Sequence, residues 1–139
     1  MKSVVTLLRV KQREMDVLKR QQMVLENQRA EVEARIKRLA DQLMEEMKTA
    51  EAMPEMAHFF GDFSATIKQR QAQMRTQVIK IDTELERVAV QILERFSEMK
   101  KYEIALENWK KRKAEAEARR SQQYMDEIAI RGYIRRDAQ

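Results

Sequence analysis

Two long stretches of this chain repeat apolar residues at alternating steps of three and four, and a single break separates them. From Leu8 the first stripe runs through Lys11, Met15, Leu18, Gln22, Leu25, Arg29, Val32, Ile36, Leu39 and Leu43 to Glu46; eight of these twelve are apolar. The second runs Met74, Val78, Ile81, Leu85, Val88, Ile92, Arg95, Met99, Tyr102, Leu106, Trp109, with ten of eleven apolar. A repeat of about 3.5 residues keeps such positions on one side of a helix and drives left-handed supercoiling. The pattern predicts an all-α fold, an antiparallel two-helix coiled-coil hairpin.

The break holds the only proline and one of the two glycines, within Met53-Pro54 through Phe60-Gly61. Pro54 has no backbone N–H and restricts Met53 before it, so a helix should end there or restart with Pro54 in its first turn. Gly61 allows a change of direction, and Asp62 or Ser64 can cap the next helix. The expected domain is a single hairpin over 1–139, with helix one at about 2–52, a tip loop at 53–61, helix two at 62–131 and a tail at 132–139. Folding about residue 57 sets Leu8 beside Leu106 and Arg29 beside Leu85. Helix two then outruns helix one by roughly 20 residues, leaving a C-terminal helical overhang.

Composition narrows the function. Charged residues make up 37% and aromatics 6% of 139 residues, which fits long helices and not a sheet protein. Cysteine is absent, so thiolate chemistry and disulfides are excluded. His58 is the only histidine, and Gly61 and Gly132 lie too far apart for a phosphate loop. No enzyme, cofactor or metal is expected. The first residues lack the apolar run of a secretory signal, and no stretch approaches the ~18 apolar residues of a membrane span. A cytoplasmic chain without direct membrane insertion is expected.

Charge is distributed unevenly under the net +5. Near the open end lie Lys2, Arg9, Lys11, Arg13, Lys110, Lys111, Arg112, Lys113, Arg119 and Arg120. The closed end carries Asp41, Glu45, Glu46, Glu51, Glu55 and Asp62 against Lys48. Such fields orient partners more than they stabilise folds. Two apolar groups fall outside the stripes. Phe59, Phe60 and Phe63 crowd the tip, with Ile67 a turn beyond. Tyr124, Met125, Ile128, Ile130, Tyr133 and Ile134 lie in the overhang with nothing to cover them.

The run Tyr102-Glu103-Ile104-Ala105-Leu106-Glu107-Asn108-Trp109-Lys110-Lys111-Arg112-Lys113 and the later Met125-Asp126-Glu127-Ile128-Ala129-Ile130-Arg131 resemble the FliJ family of flagellar export proteins. The two helices of unequal length are similar as well. The resemblance implies a non-enzymatic, stalk-like coiled coil of the flagellar type III export apparatus. It implies binding to the hexameric export ATPase and to the export gate membrane protein, and escort of export chaperones. The apparatus would hold the chain peripherally at the inner membrane. The family's gate contact, an aromatic and an aliphatic residue one turn apart early in helix two, falls on Phe63 and Ile67, with Phe59 and Phe60 beside them. The following turns meet Arg70 and Met74, where small or polar residues are the family's habit. The ATPase contact falls on the overhang and its base: Lys110, Lys111, Arg112, Lys113, Arg119, Arg120, Tyr124, Met125, Ile128 and Arg131.

Three other readings stay open from sequence. A stalk protein of a virulence secretion system would share the pattern. A nucleic-acid-binding arm would use the basic end, although interleaved glutamates and an acidic tip oppose it, and no nucleic acid is the expectation. A structural dimer would pair each helix across chains, with Gln22, Arg29 and Arg95 setting the oligomeric state.

Overall fold

The computed structural model describes residues 1–137. Helix α1 spans Lys2–Ala52, a short 3-10 turn spans Pro54–Met56, and helix α2 spans Ala57–Asp137. Two long helices joined by a short turn form the all-α hairpin that the stripes predict. By their contacts the residues fall into two units, Glu14–Arg95 and Met1–Arg13 with the chain from Phe96 onward. The seam described next belongs to the first of these.

The reversal is shorter than the sequence suggests. The Met53 N–H still donates to the Thr49 carbonyl at 2.9 Å. Met53 itself is extended (φ −126°, ψ 90°), as a residue preceding proline must be. Pro54 then opens the 3-10 turn, where its missing N–H leaves no donor unsatisfied. Helical geometry resumes by Ala57. Helix two therefore begins at 57, not 62, and the expected loop over 53–61 contracts to about one turn. Gly61 lies inside α2 without a positive φ, so it turns nothing, and Asp62 and Ser64 cap nothing. The expected tail at 132 is also helical through Asp137, because Gly132 alone does not stop a helix. Residues 138 and 139 of that tail lie outside the described residues.

In the unit Glu14–Arg95 the apolar stripes meet. Met15, Val32, Ile67, Ile81 and Val88 are buried, and Leu18, Leu25, Ile36, Leu39, Leu43, Met74, Val78, Leu85 and Ile92 are half-buried. The seam continues closer to the tip than its apolar residues indicate. Gln71 is buried and donates from Nε2 to the Ile36 carbonyl at 3.4 Å, and Ile67, one step on, is 2% exposed. A buried amide needs such a partner, and this one satisfies a polar residue that hides the seam from an apolar count.

Cross-helix ion pairs fix the register. Arg29 donates from Nε to Asp82 Oδ1 at 2.6 Å and from Nη2 to Oδ2 at 3.4 Å, while its Nη1 holds Glu33 at 2.8 Å. The hydrogen bond to Asp82, with the charges of Asp82 and Glu33, pushes the Arg29 guanidinium above its ordinary pKa. Arg95 meets Glu14 at 2.7 Å. These pairs join residues whose numbers sum to 111 and 109. The three- and four-residue steps of the two stripes fall level where numbers sum to 110, which sets Leu25 level with Leu85 and Arg29 with Ile81. The expected facing of Arg29 and Leu85 is thus one turn out. A sum of 114 would align only alternate seam positions. The seam cations are stationed at positions an apolar residue would otherwise occupy, and the two stripes of one chain pack against each other.

The other unit pairs the start of α1 with α2 beyond Phe96. Lys11 reaches Glu98 at 2.8 Å, again residues summing to 109, so Leu8 lies level with Tyr102 and not with the expected Leu106. A crevice at its edge is lined by Met1, Val5, Arg9, Leu106 and Trp109. Trp109 is half-buried, and Lys113 Nζ sits 5.1 Å from its ring centroid, within cation–π range.

Candidate functional site

Both expected partner surfaces are exposed among the described residues, one in each unit. At the tip, the last turns of α1 and the first of α2 form a crevice lined by Glu46, Thr49, Ala50, Met56, Phe59 and Phe63. Phe59 is 64% exposed, with its ring edge-on to His58 at a centroid distance of 6.0 Å. Phe60 and Phe63 are half-buried against the end of the seam. Met44, Met47, Met53 and Met56 are exposed around them. Of the four tip residues expected to bind a partner, Ile67 is corrected. It is a core residue, and its side chain has no free face to offer. The Phe63–Ile67 pairing as an exposed double anchor therefore fails, because Ile67 falls on the seam two steps before Met74. Met44 and Met47 are surface residues that sequence reading missed. They belong to neither stripe, and only that misfit signals them.

The overhang is the second surface. Every residue from Lys110 to Asp137 is exposed, 28 positions in all, beyond the last seam residue Trp109. All ten expected ATPase-contact residues lie in it: Lys110, Lys111, Arg112, Lys113, Arg119, Arg120, Tyr124, Met125, Ile128 and Arg131. The cations Arg135 and Arg136 add to them in its last turn. Among the described residues none of these cations is in an ion pair. The backbone is helical throughout, so the side chains have fixed directions. Stepping about 100° per residue, Tyr124 and Ile128 share one face while Ile130 and Tyr133 point to the opposite one. A helix apolar on opposing faces is normally enclosed, not laid on a surface.

Among the described residues no group of histidines or carboxylates has metal-binding geometry. No helix among them is long and apolar enough to cross a membrane. A bare hairpin with an unpaired basic helical end agrees with the resemblance noted in the sequence. A family model described as Flagellar FliJ protein matches residues 1–138. The chain belongs to the FliJ family. No curated protein and no solved structure matches it. FliJ proteins are non-enzymatic components of flagellar type III protein export, and this chain is one of them. The FliJ match extends through the overhang and the tip alike.

Proposed function

We propose that this chain works as a stalk-like element of flagellar export, binding the hexameric export ATPase through its overhang and the export gate through its tip while escorting export chaperones. It would act in the cytoplasm, held peripherally at the inner membrane by these contacts. The observation that carries the reading is the overhang itself. A continuous helix of 28 exposed residues, apolar on opposing faces and rich in unpaired cations, is suited to enclosure by a ring. Lys110, Lys111, Arg112, Lys113, Arg119, Arg120 and Arg131 would meet an acidic lining, and Tyr124, Met125 and Ile128 would supply the apolar anchors. Binding the hexamer in preference to free subunits would promote ring assembly by mass action. At the tip Phe59 is the exposed anchor for the gate, flanked by Phe60 and Phe63, with Ile67 holding the helix beneath them.

The test is ATPase activity measured against enzyme concentration, with the full chain and with a chain ending at Arg119. The full chain should stimulate activity and lower the concentration at which hexamers form. Equal stimulation by the shortened chain would show that residues beyond 119 take no part.

A further inference from the structure

The tip has a feature that gate binding by phenylalanines does not require. Asp41, Glu45, Glu46, Glu51, Glu55 and Asp62 are all exposed there, and Lys48 is the one opposing Lys or Arg between Asp41 and Asp62. Among the described residues none of the six is in an ion pair, whereas Glu14, Asp82 and Glu98 along the seam each hold a cation on the opposite helix. Concentrating unneutralised charge at one end of a chain whose net charge is +5 opposes folding through self-repulsion. Within this acidic belt lies an apolar surface of unusual make-up. Met56 and Phe59 are exposed in the crevice, and Met44, Met47 and Met53 are exposed on neighbouring turns. Methionine is unbranched and polarisable, so a methionine surface reshapes itself around differing apolar partners. The crevice between Glu46, Ala50, Met56 and Phe59 runs between the two helix ends, open along one side.

From this juxtaposition we infer that the tip is a docking groove for a basic amphipathic helix, whose apolar face seats on Met56 and Phe59 in the crevice while its lysines or arginines meet the acidic belt. The inference rests on the reading of the tip as a partner surface and adds the chemistry of that partner. Charge complementarity selects it. An acidic or neutral helix would bury the methionines equally well but would leave six carboxylates without partners, and a nucleic acid would be repelled. The apolar surface excludes the purely electrostatic alternative, a flexible basic tail, which would gain nothing from the methionines. Helix-in-groove binding of this kind takes anchors about one turn apart from the incoming helix.

The probe is a synthetic leucine–lysine amphipathic peptide of about five helical turns. Its twin carries glutamate at every lysine. Each is titrated calorimetrically into the full chain. The lysine peptide should bind and the glutamate peptide should not, with affinity for the former falling as salt rises. Replacing the belt (Glu45→Gln, Glu46→Gln, Glu51→Gln, Glu55→Gln) should weaken binding by roughly tenfold or more. The separate pair Met56→Ser and Phe59→Ser, which leaves every charge in place, should weaken it by a similar factor of about ten. All six side chains are exposed, so helical content by circular dichroism should not change in either variant. Equal binding of both peptides, or no loss in the Met56→Ser, Phe59→Ser variant, would overturn the inference. Gate binding tells the two readings apart. If Phe59→Ser abolishes gate binding while the belt variant binds the gate normally, the gate assignment stands and the basic-helix inference fails. If the lysine peptide requires both belt and phenylalanine while the gate ignores both variants, the inference stands and the gate is not its occupant.

Discussion

Ile67 and Phe59 sit two helical turns apart on α2, and their truncation should give opposite results. Ile67 is 2% exposed and packed in the seam near its closed end. Removing three carbons from such a site loses their transfer free energy and leaves a cavity, which together cost about 2–5 kcal/mol in well-packed cores. A two-helix seam is only one layer deep and collapses more readily than a globular core, so Ile67→Ala should fall at the low end, about 2–3 kcal/mol. For a chain of this size each kcal/mol moves Tm by roughly 3–5 °C, giving a drop of about 6–15 °C. Phe59 is 64% exposed and touches the seam little, so Phe59→Ala should change stability by less than about 0.5 kcal/mol. The assay is a thermal melt followed by helical circular dichroism, beside gate binding measured well below both melting points. Phe59→Ala should lose gate binding with Tm unchanged, and Ile67→Ala should lose Tm with much of the binding retained. A Tm fall of similar size in both variants would mean the phenylalanines form a closed minicore. No Tm fall in Ile67→Ala would refute the extension of the seam through Gln71.

Cysteines at Leu8 and Tyr102 should be joined within one chain by a short bifunctional thiol reagent faster than cysteines at Leu8 and Leu106; the reverse order would restore the register centred on residue 57. Gly61→Ala should raise stability by about 0.5–1 kcal/mol in a denaturant titration, since the glycine is helical and a Cβ there meets nothing within 4 Å; a loss would indicate a strained backbone. A double-mutant cycle with Arg29→Met and Asp82→Asn should give a small favourable coupling that shrinks as salt rises, because the pair is only partly covered; a coupling unaffected by salt would show that the pair is shielded from solvent. Trp109→Ala should cost about 1–2 kcal/mol, less than a fully buried tryptophan, because the crevice around it is open on one side; no change would make it a free surface residue.

The heptad stripes alone determined the two helices and nearly every seam position, and with the single break between them they pointed to antiparallel pairing, because a 3.5-residue repeat keeps its apolar residues on one stripe that must be covered by another. Glu46 is the one position of the two stripes that is exposed. The overhang was equally legible, since it follows from the unequal lengths on either side of Pro54, though at 28 exposed residues it is longer than the roughly 20 expected. What the sequence left undecided was local and polar. Gly61 looks like a turn residue, but Met53 and Pro54 complete the reversal first, and a glycine within a packed helix simply follows it. Gln71 looks like the end of a stripe, yet it keeps the seam running because the Ile36 carbonyl accepts its amide. Ile67 reads as a surface anchor until that continuation buries it. The register was legible only in part: the stripe steps align every seam position at one register and alternate positions a turn away, and the pairing of Arg29 with Asp82 and of Arg95 with Glu14 across the seam agrees with the first. Periodicity is a property of one helix and can be read along the chain, whereas the partner of a polar group is fixed only when two helices meet.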